Sequence, residues 1–263
     1  MKKGLVLFLM ILVVGTVSVF AEKPADGVYF AQETEFPKSG WKYNVTLVVK
    51  RGKIKEVVWD GSNINAGMAK DAVSRAGKYG MEANGGAMAP WWKQAEAVEK
   101  ALIKAQDINA ITLSDDAGHT DAVSGATIKV GNFVDLVKEA LAAGPVGYGP
   151  YKDGTYRAEA DEFGNGWKYF VDVTVTSGYI VSVSWDAMPE KGGKNKKQTS
   201  IDGEYGMVEK GGAMAPWFEQ ARAVEKQIIM TQDVSKVDSI SGASVGLDPF
   251  YTLLNKALSG AKR

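Results

Sequence analysis

Asp121-Ala122-Val123-Ser124-Gly125-Ala126-Thr127 follows a polar loop, and beyond it Val130, Phe133, Val134, Val137, Ala140 and Leu141 recur at helical spacing. The pattern predicts an amphipathic helix entered directly from this stretch. In that setting Ser124 caps the helix, Gly125 lets backbone approach closely, and Thr127 presents a hydroxyl in the first turn. Free N–H groups at a helix N-terminus bind phosphate. The stretch therefore reads as a phosphate seat with a hydroxyl inside it, the plain alternative being a helix cap after a turn.

The same stretch returns as Asp238-Ser239-Ile240-Ser241-Gly242-Ala243-Ser244, and much of the chain returns with it. Gly40-Trp41-Lys42-Tyr43 reappears as Gly166-Trp167-Lys168-Tyr169, Tyr79-Gly80-Met81 as Tyr205-Gly206-Met207, and the segment Gly85 to Trp91 as Gly211 to Trp217. The offset holds at 126 from Trp41 to Gln106 and falls to 117 at Asp121, so the first copy carries nine extra residues, Thr112 to Thr120. A period this long means two homologous domains rather than a solenoid. The expected division is a leader over 1–21, a first domain over 22–143, a Gly/Pro-rich linker over 144–150, and a second domain over 151–263.

Within each copy, β-branched and aromatic runs flank a turn and predict a hairpin: Tyr43 to Lys50 with Lys53 to Trp59, and Tyr169 to Thr176 with Tyr179 to Trp185. Pro90 and Pro216 are expected at the first position of a helix, with Trp91, Ala95, Val98 and Leu102, or Trp217, Ala221, Val224 and Ile228, on one face. A short strand, then the motif and its helix, are expected to close each unit. Such a unit is α+β or α/β, a small hairpin-containing sheet packed with helices.

Composition narrows the chemistry. The 263 residues are 45% hydrophobic and 24% charged with no net charge, which does not suggest a nucleic-acid binder. Lys2 and Lys3, the apolar run Leu5 to Val14 and the exit Val19-Phe20-Ala21 form a secretory signal with cleavage expected after Ala21. The competing reading is an uncleaved anchor, for which Gly4 to Phe20 is at the short limit. Cysteine is absent, which excludes disulfides, a lipid-modified cysteine, thioether haem attachment and thiolate-bound clusters. With a single histidine, no metal site is expected. Redox chemistry in such a protein calls for an organic cofactor or a metal held without thiolates, and the single histidine speaks against a multi-histidine metal site.

Asp-x-x-Ser-Gly-Ala-Thr resembles the modification motif of the FMN-binding domain family, found in flavin subunits of the sodium-pumping NADH:quinone oxidoreductase and related electron-transfer complexes. The resemblance covers nearly the whole mature chain and is stronger in the first copy. It implies FMN joined by a phosphoester to Thr127, installed by an FAD:protein FMN transferase, with Asp121, Ser124, Gly125 and Ala126 belonging to the motif. In the second copy Asp238, Ser241, Gly242 and Ala243 match, while Ser244 replaces the threonine. A serine can form the same ester but lacks the γ-methyl that stiffens threonine. Asp121 and Asp238 are implied in recognition by the transferase; their ordinary role is to bond turn N–H groups.

The segment Gly85 to Trp91 is a second candidate wall. Gly86 allows close approach, and Met81, Met88, Trp91 and Gln94, with Met207, Gly212, Met214 and Trp217 in the second copy, offer surface for an isoalloxazine. The ordinary reading is a turn, a proline-started helix and core tryptophans. His119 is expected to be an uninvolved loop residue. Lys191, Lys194, Lys196 and Lys197 form a basic run, read either as a solvated loop or as a docking patch for an acidic partner or anionic lipid. No nicotinamide fingerprint and no catalytic constellation stand out. The expectation is an exported electron carrier in the periplasm or at the membrane or cell surface, working with an unidentified membrane or extracytoplasmic redox partner. The alternatives are a flavin-bearing component of a membrane reductase complex and a flavin-free surface or binding protein.

Overall fold

The structure, a computed structural model, describes residues 23–237 and 239–263; the expected leader and Asp238 lie outside them. Three strands, β1 (Gly27–Gln32), β2 (Trp41–Lys50) and β3 (Lys53–Asn63), form an antiparallel meander. The hairpin is as expected and runs longer at its open end. β1 was not foreseen, because Gly27-Val28-Tyr29 is short and follows polar residues. Tyr29 pairs with Leu47 and Val45 with Trp59, and a bulge falls between Val48 and Val49.

Short helices α1 (Lys70–Arg75) and α2 (Met81–Gly85) precede α3 (Trp91–Ala105), and α4 (Gly131–Ala143) ends the first half. Strand alternation sends Tyr43, Val45, Leu47 and Val49 to one face. There they meet Val98 and Leu102 of α3 and Phe133, Val137 and Ala140 of α4, with Trp59 at the centre. Two details correct the sequence reading. Pro90 and Pro216 are extended residues just outside their helices rather than first helical residues. The segment before the motif is a 3₁₀ turn, Ile108–Ala110, rather than a strand, held by Asp107 accepting from Asn109 N–H.

The second half repeats the plan with β4 (Gly154–Glu159), β5 (Trp167–Thr176), β6 (Tyr179–Pro189), α5 (Lys196–Ile201), α6 (Trp217–Thr231) and α7 (Asp248–Leu258). Its sheet is again an antiparallel meander, with the bulge between Thr174 and Val175. Trp185 sits where Trp59 does, against Trp217 and Phe250. The fold is α+β, built on two three-stranded sheets.

The other face of the first sheet is also buried. Lys42, Asn44, Thr46 and Ser62 are covered, and several polar contacts reach the second half. Thr46 and Ser177 hydroxyls share a 2.6 Å hydrogen bond, Ser62 Oγ donates to Val181 O, and Ser182 Oγ donates to Asn63 O. Arg222 donates to Ile64 O and Asn65 Oδ1. Phe30 stacks on Tyr179 at 4.4 Å. The linker is bonded to both halves: Val146 and Gly147 N–H donate to Val28 O, and Gly149 N–H donates to Ser177 O.

Candidate functional site

Thr127 is an exposed residue held from below by a buried amide. Gln94, on the inner face of α3 and 1% exposed, accepts at Oε1 from Thr127 N–H (2.7 Å), Thr127 Oγ1 (3.1 Å) and Ile128 N–H (3.1 Å). Its Nε2 donates to Ala89 O (2.8 Å). One side chain thus ties the motif to the Gly85–Trp91 segment. The second half reproduces the arrangement: Gln220 Oε1 accepts from Ser244 N–H, Ser244 Oγ and Val245 N–H, and its Nε2 donates to Ala215 O. Met207 Sδ lies 3.9 Å from Gln220 Nε2.

The motif is a turn and not a helix start. Ala126 N–H donates to Val123 O, Gly125 has φ +84°, and α4 begins only at Gly131. Ser124 therefore caps nothing and Thr127 is not in a first helical turn. The physical reason is competition for donors: Gln94 takes the Thr127 and Ile128 N–H groups, and Gly118 O takes those of Val130 and Gly131. Gly118 belongs to the nine-residue insertion, yet α7 begins at Asp248, the counterpart of Gly131, without any insertion, so the late helix start does not depend on it. Ser241, Gly242 and Ala243 form the same turn, with Ala243 N–H donating to Ile240 O. The Asp121 carboxylate is exposed and makes no hydrogen bond among the described residues; the neighbouring Ala122 N–H goes to Thr120 Oγ1.

The remaining candidates divide. Trp91 and Trp217 are buried in the two cores. Met81 packs against the first core, and its carbonyl accepts from Gly86 and Ala87 N–H. Met88 and Met214 are 94% and 97% exposed, at matching places in the two halves. Gly86 and Gly212 are left-handed with open space at the Cβ position. On the other flank of Gln94, a groove of about 460 Å³ runs between Ala97, Ala101 and Ala105 of α3 and Val123 and Ser124 of the motif. Lys100 and Lys104 line it. The groove is open, and its apolar floor carries two cations and the Ser124 hydroxyl, while Thr127 and Gln94 lie outside its lining.

The basic run does not survive as a patch. Lys196 and Lys197 are buried, and Lys194 is paired with Asp202 and Glu204. Lys197 Nζ bonds Glu225 and Ser184, so these lysines are internal structure rather than a docking surface. His119 pairs with Asp115 inside the insertion.

The chain is similar to several known proteins. A family model described as the FMN-binding domain matches residues 40–142. The chain is also 30% identical over 137 residues to the 15 kDa lipoprotein of Treponema pallidum, covering 52% of this chain and 93% of that one. The chain belongs to the FMN-binding domain family. Two solved structures are similar to it. One is a solution structure of a Clostridium thermocellum protein, 50% identical, covering 45% of this chain and 90% of that one, with a TM-score of 0.36. The other is a crystal structure of a Clostridium perfringens protein, 24% identical, covering 45% and 87%, also with a TM-score of 0.36. The family match spans the whole Gln94–Thr127 arrangement. Sequence reasoning picked out Gln94 as a flavin contact. Its role as the shared acceptor under the motif carried no sequence signal beyond its return as Gln220.

Proposed function

We propose that this protein is an exported electron carrier with FMN attached through a phosphoester to Thr127. The observation that carries the reading is the exposed Thr127 hydroxyl fixed by buried Gln94, inside a motif that resembles the family's modification sequence. In the attachment step Thr127 Oγ forms the bond to the FMN phosphoryl group of FAD. AMP leaves, and the hydroxyl proton passes to the transferase site. Esterification removes that proton, and Gln94 Oε1 keeps the two backbone N–H groups, so the turn survives loading. Asp121, exposed and unbonded, is free for the transferase to read.

Bound FMN supplies the redox chemistry; the chain supplies attachment, orientation and control of potential. Met81, Met88 and Gly86 on one flank and the alanine groove on the other are the surfaces offered to the ring. The second half is proposed as a second FMN-binding domain with Ser244 as its acceptor, because Gln220 holds it as Gln94 holds Thr127. Export is supported by the leader-like N-terminus, and a relative described as a lipoprotein is consistent with work at a membrane surface. No helix among the described residues is long and apolar enough to cross a membrane. A covalent tether suits such a location, since a dissociated flavin would be lost. The partners proposed are an FAD:protein FMN transferase and a membrane or extracytoplasmic redox protein.

The test is the flavin-to-protein ratio of protein made with an active transferase. Thr127→Ala is expected to lose one FMN and Ser244→Ala the other; colourless wild-type protein would instead favour a flavin-free binding module.

A further inference from the structure

Each half buries a lysine that the reading above does not use. Lys70, 2% exposed, places Nζ over the rings of Trp41, Tyr43, Tyr79 and Trp91, at 4.5–5.6 Å from their centroids. Nζ donates to the Tyr43 hydroxyl, and among the described residues no carboxylate pairs with it. Gly61, inside β3, makes room: a Cβ there would come within 3.2 Å of the Lys70 stem. Lys196 repeats the box with Trp167, Tyr169, Tyr205 and Trp217 and donates to Tyr169. Cation–π contacts offset part of the cost of burying an ammonium, but four rings and one hydroxyl replace its hydration poorly. A structural role alone would be filled more stably by an apolar side chain.

The box adjoins the attachment site along the chain. Trp91 opens α3 one turn before Gln94, which holds Thr127. Tyr79 leads through Gly80 into Met81, whose counterpart Met207 lies against Gln220. We propose that Lys70 is the charge-compensating group of the flavin on Thr127: its ammonium favours the reduced cofactor, and on reduction Nζ takes up one solvent proton. The inference rests on FMN attachment at Thr127. Electrons come from an external reductant, dithionite in the test below. For each electron pair the flavin binds one proton of its own and Lys70 Nζ binds a second, giving the ammonium.

Burial holds Lys70 down to about 7, against the smaller upward pull of Asp60 and Glu33. A group poised there responds to a negative charge arriving nearby. The titratable groups facing it are Tyr43 from β2, Asp60 from β3, Tyr79 from the α1–α2 connection and Glu33 from the β1–β2 turn. Tyr43 and Tyr79 are pushed up by burial and stay neutral. Asp60 Oδ1 already accepts from Gly61 and Asp71 N–H. Lys70 is therefore the group best placed to change charge.

The test uses the full chain with Ser244→Ala as its parent, so that only the Thr127 flavin is read, with FMN first counted by intact mass, and follows the flavin midpoint potential across about pH 6 to 9. Above about pH 7 the parent's potential should fall with about twice the slope shown by Lys70→Met, since two protons rather than one accompany two electrons. At neutral pH Lys70→Met should lower the reduced-to-oxidised ratio at a fixed potential about tenfold, which is about 30 mV for a two-electron couple. In Ser244→Ala protein, Lys196→Met should leave the potential unmoved. Should the methionine variant fold poorly, NMR titration of the Lys70 Cε in unsubstituted protein decides: the pKa should be higher in dithionite-reduced than in oxidised protein. It should not respond to dithionite in Thr127→Ala. A loaded protein with equal slopes, or with a Lys70 titration indifferent to reduction, overturns this inference alone. An unmodified mass overturns the attachment reading and this inference with it.

Discussion

Gln94 concentrates the site in one side chain, and its replacement separates holding from packing. In Gln94→Leu the Thr127 and Ile128 N–H groups lose their acceptor; a fully buried unsatisfied group costs about 1–3 kcal/mol, and these two, partly open to water, cost at most about the lower end each. Denaturant unfolding should show a loss of that order, and the flavin-to-protein ratio at Thr127 should fall. Gln94→Glu, which keeps an acceptor, should retain more of both. A leucine variant that loads normally would show that the amide does not position Thr127. A second residue-scale expectation concerns Glu99, whose Oε1 accepts from Trp59 N–H. Burial raises Glu99 to about 7 and Asp60 to about 6. A carboxyl with a raised folded pKa stabilises fully below its unfolded value, and that contribution is lost as pH rises through the folded one. Stability of the wild type should therefore decline from about pH 4.5 to 7, and Glu99→Gln should flatten the decline. Equal urea-midpoint shifts in the two proteins would contradict it. In the second half the equivalent Glu225 is paired with Lys197 and Arg222.

At the scale of elements, the hairpins, α3 and α6 were legible because apolar spacing and Arg51-Gly52 or Ser177-Gly178 turns dictate them locally. The start of α4 was not. The periodicity of Val130, Phe133 and Val137 marks the helix body, while the turn before it is held by a distant acceptor, Gln94 Oε1, as Gln220 Oε1 holds the turn before α7. The basic run misled for a related reason. Charge alone predicts exposure, but Trp167 and Tyr169 from β5, Tyr205 from the α5–α6 connection and Trp217 from α6 enclose Lys196. Composition read 144–150 as a linker, without its hydrogen bonds. There Gly149 and Gly178 pass so closely that a Cβ on Gly149 would lie 2.2 Å from Gly178 O. Gly149→Ala must push the linker off the β5–β6 turn. It is expected to lower the melting temperature by several degrees and to open the linker to protease; an unchanged melting temperature would show that the contact yields without cost.

Over the whole molecule, the polar seam between the sheets and the pinned linker join the two halves. Thr46, Ser62 and Ser177 are buried across that seam, and either half alone would expose them to water. A single calorimetric transition is expected for the intact chain, and two well-separated ones would mean that the halves fold independently. In this arrangement the two proposed attachment sites, Thr127 and Ser244, are carried by one joined scaffold, as the proposed carrier role requires. That role depends first on covalent loading, and the most direct measurement is the intact mass of protein co-produced with an FAD:protein FMN transferase, beside Thr127→Ala. The account expects one FMN-phosphoryl unit at each loaded acceptor and the loss of one unit in the variant. An unmodified mass with the transferase active, or a modified mass unchanged in Thr127→Ala, would contradict it.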